Sequence, residues 1–458
     1  MAWDGARPPL AQRAARDLHE LGVPVTLGTS GSELLADRAF ACVIKSPGID
    51  SDLPLLRDAR ARGIEIVDEA ELGWRLDSRP MVAVTGTNGK STVAEISATV
   101  LRAAGANPCV AGNRDFGPPL SEVPREHDVV VGELSSFQLE GCPGLLPEAA
   151  LFTNLTPHHL KRHGSVERYQ GCKRRLFIRG DEAVGLAILN LDDPFGRRLA
   201  AETAERGGRA VGYGRAFEAD FRIEEIEWTL ATGRVGVATP EGRVDLHSRL
   251  PGPYNAHNLV AVLALAAGLG VAPGAAAATI AEASPVPGRL EVIQAAPPFD
   301  VIVDYAHDPA GTSAVAGLAR KLLERRGGGR LTAVVCAVDV LSDAREQRAI
   351  GAAAARLCDR VVLTSARWAL AEPPHPPGPL VDGARAISTA EIDVVDDRAD
   401  AIGHAILSAG DGDCVLILGR GPLDTPLFDS EGTPRPFDDR EEARRALREL
   451  GLNRSGAG

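Results

Sequence analysis

The chain has 458 residues and a formal net charge of −12, with 44% hydrophobic and 24% charged residues. This composition is typical of a globular protein and excludes collagen-like, disordered and disulfide-dense classes. The acidic balance argues against nonspecific binding to nucleic acid or anionic membranes, and the longest apolar run, Leu259–Ala272, falls short of the roughly 20 residues that span a bilayer.

The first residues of the chain are charged and contain no apolar stretch, so we predict no signal peptide and a cytoplasmic protein. Strand-like apolar runs then alternate with helical segments, which predicts an α/β fold with mostly parallel sheets. The predicted strands are Ala41–Lys45, Met81–Val84, Asp128–Gly132, Ala149–Phe152, Val301–Asp304, Leu331–Cys336, Arg360–Thr364 and Cys414–Leu418. The predicted helices are Ser91–Ala104, His257–Leu269, Pro309–Arg325, Asp343–Leu357, Arg398–Ser408 and Asp439–Leu450.

Two segments interrupt this alternation and predict domain boundaries. A polar turn at Ser78–Pro80 precedes a new apolar strand, and Ser284–Gly288 reads Ser-Pro-Val-Pro-Gly, which is typical of a linker. We therefore predict three domains, at residues 1–79, 80–286 and 287–458.

Cysteine and lysine are both used sparingly. The seven cysteines are scattered without a Cys-x-x-Cys pair, which favours reduced thiols over a disulfide framework or a zinc site. Among 50 basic residues the lysines are Lys45, Lys90, Lys161, Lys173 and Lys321. Because arginine fills most basic positions, each lysine marks a place where the chemistry could require an amine.

A glycine-rich segment lies between the strand that ends at Val84 and the helix that begins at Ser91. Glycines let backbone N–H groups face an anion, and the helix N-terminus adds a partial positive charge. In a phosphate loop, a lysine such as Lys90 reaches the β- and γ-phosphates, and the next hydroxyl, Ser91, reaches Mg²⁺. The segment predicts a nucleotide site, against the alternative of a turn that only caps the helix. Its residues are Gly86, Thr87, Asn88, Gly89, Lys90, Ser91 and Thr92.

Two further segments carry candidate chemistry. Glu133 follows a predicted strand beside this loop, where a carboxylate can hold the nucleotide's metal or simply lie in an exposed turn. Asn154–Gly164 contains three histidines, His158, His159 and His163, and is either part of a site or a solvated polar loop. Lys173 stands next to two arginines, which hints that this position needs a nucleophilic amine.

Together, Thr85–Thr92, Glu133–Glu140, Asn154–Gly164 with Lys173, and Asn255–Asn258 resemble the Mur ligases, ATP-dependent amide-bond-forming enzymes of peptidoglycan precursor synthesis. The resemblance covers almost the whole chain. It implies an N-terminal UDP-binding domain, a central P-loop-type ATPase domain with a mostly parallel sheet and a Rossmann-like C-terminal domain. It also implies ATP, two Mg²⁺ ions, a UDP-MurNAc-peptide and an amino acid as ligands, and a monomeric enzyme.

The resemblance assigns roles to individual residues. Lys90 and Ser91 serve the ATP phosphates and the first Mg²⁺, Glu133 is a further ligand, and His159 binds the second Mg²⁺. Lys173 matches the family's carbamylated lysine, in which CO₂ on a neutral amine gives a carboxylate-like group that arginine cannot supply. The remaining implied site residues are Asn113 near the acyl-phosphate site, Asn258 near adenine, Arg289 and Asp304 at the nucleotide, and Gly48, Ser135, His307, Arg420 and Asp424 on the substrate side.

The motifs divide between two members of the family. Ser46–Ile49 and Glu133–Glu140 are most like the D-glutamate-adding enzyme, whereas Asp304–Ala310 and Pro436–Glu441 are like the enzyme that adds the third residue. That enzyme's Asp-Asn-Pro-Arg signature, which selects a diamino acid, is replaced by Thr364-Ser365-Ala366-Arg367. Its Gly-Lys-Gly-His-Glu is replaced by Gly419-Arg420-Gly421-Pro422-Leu423.

We therefore expect glutamate addition to UDP-N-acetylmuramoyl-L-alanine through an acyl phosphate, with Arg367 and Arg420 clamping carboxylates and Asp424 holding the α-ammonium. Two alternatives keep the ligase chemistry, namely the tripeptide step or a cyanophycin-type amino-acid polymer. A third is a nucleotide-binding paralogue without ligase activity. It is favoured by His158 and Lys161, which stand where the family has aspartates, and by a shortened loop at Ala337–Asp339.

Overall fold

The protein is described by a computed structural model. It describes residues 2–4, 15–27, 31–35, 40–113, 117–229, 232–293, 299–336, 343–365, 378–387, 390–424, 426–428 and 434–455. Within these residues no helix has the length and apolar character needed to cross a membrane.

The N-terminal part contains two small parallel sheets. Strand β1 pairs with β2, and β3 pairs with β4. Lys45 at the end of β3 forms a buried ion pair with Asp68 at the end of β4, at 3.1 Å between Nζ and Oδ2. The elements of this N-terminal part are β1 Ala2–Asp4, β2 Val25–Leu27, a 3₁₀ turn Ser32–Leu35, β3 Cys42–Lys45, α1 Pro54–Ala61, β4 Glu65–Asp68 and α2 Glu69–Leu76.

The middle of the chain forms a nine-stranded sheet in the order β15-β14-β13-β12-β11-β8-β5-β7-β6. Its pairings are parallel from β6 to β13 and antiparallel from β13 to β15. The strands are β5 Met81–Thr85, β6 Pro108–Gly112, β7 Val129–Glu133, β8 Ala149–Phe152, β11 Leu186–Asn190, β12 Arg209–Gly214, β13 Phe221–Trp228, β14 Gly233–Thr239 and β15 Gly242–Ser248, with a separate hairpin of β9 Ile178–Arg179 and β10 Glu182–Ala183. The helices are α3 Lys90–Ala103, α4 Ser136–Glu140, α5 Leu160–His163, α6 Val166–Arg174, α7 Pro194–Glu205, α8 Asn255–Gly268 and α9 Pro273–Glu282, with a 3₁₀ turn at Leu120–Glu122.

The last part forms a six-stranded sheet in the order β16-β17-β21-β18-β19-β20, in which only β16 runs antiparallel to its neighbour. The strands are β16 Glu291–Val292, β17 Asp300–Asp304, β18 Leu331–Cys336, β19 Arg360–Thr364, β20 Glu391–Val394 and β21 Cys414–Leu418, and a small hairpin joins β22 Leu427–Phe428 to β23 Pro434–Arg435. The helices are α10 Pro309–Arg325, α11 Ala344–Leu357, α12 Gly378–Arg385, α13 Arg398–Leu407 and α14 Asp439–Ser455.

These elements confirm the predicted α/β class. Helix α8, predicted as His257–Leu269, begins two residues earlier and is buried on almost every side among the central core residues, because its sequence is apolar all round. Strand β7 runs one residue further than predicted, so Glu133 is its last residue. The antiparallel strands β13 to β15 were not predicted, because their outer faces carry charged residues.

Candidate nucleotide and metal site

The glycine-rich segment lies at the carboxyl end of β5 and leads into α3. Gly89 is the N-cap of α3 with φ 86°, a backbone conformation that glycine adopts without strain. A Cβ on Gly86 would lie 1.8 Å from Thr153 Oγ1, and one on Gly89 would lie 2.4 Å from Asn258 Oδ1. Both positions therefore require glycine, and the loop is closely packed against β8 and α8.

Neighbouring side chains fix the shape of this loop. The carbonyl of Asn88 accepts hydrogen bonds from Thr153 Oγ1 at 2.7 Å and from Asn154 Nδ2 at 2.9 Å. Asn154 Oδ1 in turn accepts from the Asn88 N–H at 3.0 Å. Lys90 Nζ donates to the Thr87 carbonyl at 2.9 Å, which holds the lysine amine over the loop. A turn held in this way at a helix N-terminus has the geometry that fits an anion.

Lys173 brings a second amine to the same loop from helix α6. Its side chain is 1% exposed, and Nζ donates to the Gly86 carbonyl at 2.6 Å. Burial, reinforced by the positive charge of Lys90, lowers the pKa of Lys173 well below its usual value. The amine is thus held where its neutral form is favoured, which is the form that reacts with CO₂.

Tyr169 lies one helical turn before Lys173 on the same face of α6. Its hydroxyl is 3.0 Å from Thr87 Oγ1, and its ring lies under Lys173 Nζ at 4.7 Å from the ring centroid. Thr87 Oγ1 also accepts from the Thr156 N–H at 3.0 Å. Sequence reasoning missed Tyr169, although its spacing of four residues from Lys173 is a signal that the two share a helix face.

Glu133 stands at the carboxyl end of β7, next to the loop, and is 2% exposed. Its Oε1 accepts from Asn113 Nδ2 at 2.8 Å, whereas Oε2 is buried without a hydrogen-bond partner among the described residues. A buried carboxylate oxygen left in this way fits a hard divalent cation such as Mg²⁺. Asn113 and Glu133, which were assigned separate roles from the sequence, are in direct contact.

Within the described residues no group of three or more His, Cys, Asp or Glu side chains could hold a metal ion by itself. A magnesium ion here would therefore also need ligands of other kinds, such as the Ser91 hydroxyl, nucleotide phosphates and water. Ser91 is buried, and its Oγ accepts from Arg289 Nη2 at 3.2 Å. The loop, Glu133 and Ser91 together fit a magnesium–nucleotide ligand.

The histidines lie on the loop and helix that follow β8. His159 is the N-cap of α5 in a left-handed conformation with φ 54°, and its ring centroid is 3.6 Å from that of His158. His163 is buried, with Nε2 at 2.9 Å from Ser136 Oγ, and desolvation lowers its pKa to about 4. His158 Nδ1 pairs with Glu346 Oε1 of helix α11, a contact that local sequence motifs did not signal.

The last part of the chain reaches the loop through the segment around β17. Arg289 stacks on the Tyr305 ring at 4.4 Å while it contacts Ser91. Asp304 is buried and accepts hydrogen bonds from the Leu290 and Ala306 N–H groups, both at 2.7 Å. Burial raises the pKa of Asp304. Its observed role is to hold the backbone that carries Arg289.

The predicted substrate residues are more scattered. His307 lies 5.5 Å from His158 between ring centroids, and Ser135 caps helix α4 and bonds to Gln138. Gly48 and Asp424 are exposed.

Arg420 requires a correction. Its side chain is fully buried and donates to the Leu423 and Phe437 carbonyls, so it is not open to a substrate carboxylate, because the segment before α14 covers it. The other predicted clamp, Arg367, lies outside the described residues, as does the shortened loop at Ala337–Asp339.

Comparisons with known proteins agree with this geometry. The family described as Mur ligase middle domain matches residues 84–266, and the family described as Mur ligase, glutamate ligase domain matches residues 288–421. The UDP-N-acetylmuramoyl-L-alanyl-D-glutamate–2,6-diaminopimelate ligase of Thermosynechococcus vestitus is 35% identical over 394 residues, which cover 81% of this chain and 77% of that enzyme.

A second relative is named for the addition of D-glutamate. The UDP-N-acetylmuramoylalanine–D-glutamate ligase of Pelotomaculum thermopropionicum is 33% identical over 335 residues, which cover 71% of this chain and 69% of that enzyme. Among solved structures, UDP-N-acetylmuramate-alanine ligase from Thermotoga maritima aligns with a TM-score of 0.61 at 20% identity, covering 96% of this chain and 91% of that one. A match at this identity shows the shared fold.

Proposed function

Since the chain belongs to the Mur ligase family of ATP-dependent ligases, we propose that it adds the third amino acid to a UDP-MurNAc-dipeptide. The observation that carries the ligase chemistry is the buried Lys173 amine, 2.6 Å from the carbonyl of the phosphate loop and beside Glu133. The observation that supports this step is the 35% identity to an enzyme named for diaminopimelate addition, over 81% of the chain.

The choice of step revises our expectation of glutamate addition. Relatives named for diaminopimelate addition cover more of this chain than the relative named for D-glutamate addition. Burial of Arg420 removes one of the two arginines on which the glutamate prediction relied. The tripeptide step, first held as an alternative, is therefore the better supported specificity.

Each residue of the site has a distinct task in the proposed reaction. Lys90 neutralises phosphate charge from its position over the loop, and Gly86 and Gly89 let the backbone approach the anion. Bound ATP and Mg²⁺ supply the phosphoryl group that activates the peptide carboxylate and the positive charge that stabilises its transfer. Ser91, Glu133 and His159 are the residues that would hold the metal, and Asn113 keeps Glu133 oriented.

Carbamylated Lys173 would add one more carboxylate-like group at the loop. The neutral amine attacks CO₂ to form the C–N bond and loses one proton to give the carbamate. Burial supports this because it lowers the pKa of the amine and so favours the unprotonated form, and the Tyr169 ring covers one side of it. The group's task is to hold and orient a cation rather than to react with substrate.

The test is phosphate release with matched pairs of acceptor and amino acid. UDP-MurNAc-L-Ala-D-Glu is assayed with meso-diaminopimelate and L-lysine, and UDP-MurNAc-L-Ala is assayed with D-glutamate and L-glutamate. We expect release with the dipeptide substrate and a diamino acid. Preferential turnover of glutamate would reinstate the second-residue step. Retained binding of ATP without phosphate release from any pair would contradict both peptidoglycan steps and leave a ligase for another acceptor or a paralogue that binds nucleotide without ligating.

A further inference from the structure

The pair formed by His158 and Glu346 joins two domains that are distant in sequence. His158 lies in the loop after β8 of the central sheet, and Glu346 lies in the first turn of α11 on the six-stranded sheet. The two side chains are 6% and 13% exposed, so the contact is buried. His158 Nε2 has no hydrogen-bond partner among the described residues, which leaves Glu346 as the group that orients the ring.

A helix cap fixes the first turn of α11, which carries Glu346. Asp343 caps helix α11, and its Oδ1 accepts from the Arg345 N–H at 2.8 Å and from the Glu346 N–H at 2.9 Å. The cap fixes the backbone of the first turn of the helix, and with it the position from which the Glu346 side chain extends to His158. The carboxylate is therefore presented to the central domain by a preorganised helix end.

The His158 ring connects Glu346 to the candidate metal ligand His159. Its centroid is 3.6 Å from that of His159, which itself lies against the Phe137 ring at 4.7 Å. His159 has a left-handed backbone, a strained conformation for a residue with a side chain, and such conformations persist only where the surroundings impose them. The stack of Phe137, His159 and His158 ends at Glu346 of the other domain.

We propose that Glu346 is a positioning residue that, through His158, latches the C-terminal domain onto the central domain and so fixes His159 on the segment that bonds to the phosphate loop through Thr156. The latch itself follows from the contacts, and its effect on nucleotide binding rests on the proposed function. It joins position 158, where this chain departs from the family's aspartate, to the helix that follows the shortened loop at Ala337–Asp339.

The experiment compares Glu346→Gln with Glu324→Gln, the same substitution at an exposed position of α10. Small-angle X-ray scattering of the full chain should give a larger radius of gyration for Glu346→Gln than for wild type and Glu324→Gln. Since only docked molecules bind tightly, the Kd for adenylyl imidodiphosphate should rise in proportion to the loss of docked enzyme, about tenfold if one tenth remains docked.

His158→Asn provides an independent second variant, and circular dichroism checks that each variant is folded. Both folded variants should have the larger radius of gyration. The double variant should have no larger a radius of gyration or Kd than either single variant, because the two residues act as one unit. A radius of gyration and a Kd that match wild type in either folded variant would overturn the latch. These readouts need no turnover, so they are independent of whether the proposed amino acid is correct.

Discussion

Lys173 Nζ and the Gly86 carbonyl oxygen are 2.6 Å apart, so the buried amine and the phosphate loop form one unit. The amine comes from helix α6 and the carbonyl from the end of β5, two elements 87 residues apart in sequence. Any change in the charge of Lys173 therefore acts directly on the glycine-rich backbone that we propose as the phosphate site.

We predict that Lys173→Ala and Lys173→Arg are both inactive. Alanine removes the amine, and guanidinium neither takes up CO₂ nor binds a cation. Short-chain carboxylates should restore part of the activity of Lys173→Ala, because they replace the lost carbamate, but not that of Lys173→Arg. Wild-type protein equilibrated with ¹³C-bicarbonate should show a carbamate carbon resonance that both variants lack. An active arginine variant would contradict the assignment.

Lys90→Ala should lower kcat/KM for ATP by at least about 100-fold, since it removes a positive charge aimed at the transferring phosphoryl group. The side chain is only half-buried, so no core cavity opens and the circular dichroism spectrum should not change. Lys321→Ala, at an exposed position of α10, is the matched control and should keep wild-type kinetics. Near-normal phosphate release by folded Lys90→Ala would rule out the phosphate-loop assignment.

Tyr169→Phe tests the hydrogen bond to Thr87 while leaving the ring over Lys173 in place. Loss of one such bond costs about 1 kcal/mol, which corresponds to about a fivefold rise in KM for ATP. The value of kcat should change little, because the ring still covers the amine. Tyr213→Phe is the comparison: its hydroxyl donates to the Phe152 and Thr153 carbonyls at 3.0 and 3.3 Å rather than to Thr87, so KM should change less. Equal KM shifts in both variants would point to a general packing effect.

His163 makes stability depend on pH. Its folded-state pKa, about 4, lies below its ordinary value of 6.5 because burial disfavours the charged ring. Between these values the unfolded chain binds more protons, so the stability falls as the pH is lowered from 6.5 to 4. The loss attributable to this residue is on the order of 3 kcal/mol. Urea unfolding across this pH range should show a steeper fall for wild type than for His163→Gln, and parallel curves would refute the prediction.

The local parts of the fold were predictable from the sequence. The strand before Gly86, the helix after it and the buried helix α8 each follow from apolar periodicity and glycine placement within about 20 residues, and their ends were correct to within one or two residues. Lys173 was singled out because lysine is rare in this chain, and the structure brings it to the loop.

Contacts that depend on tertiary packing were not predictable. The pairing of His158 with Glu346 spans 188 positions and has no local signature. Arg420 was interpreted as a carboxylate clamp because it stands in the motif that replaces Gly-Lys-Gly-His-Glu, but the segment that contains Phe437 folds over it and buries it. The spacing of Tyr169 and Lys173 could have signalled that their side chains lie on one helix face, but the hydrogen bond from Tyr169 to Thr87 spans 82 positions and has no local signature.

The strand order of the last sheet has a consequence for how the chain is synthesised. Strand β21 lies between β17 and β18, yet it is made after both, and after β19 and β20. Until β21 leaves the ribosome, β17 and β18 each lack the neighbour that their backbone groups require, and their exposed edges can pair with other chains. The central nine-stranded sheet is complete by residue 248, so it can fold during translation. The six-stranded sheet must wait until β21 has been made, and a nascent chain stalled before residue 414 carries the greatest risk of aggregation.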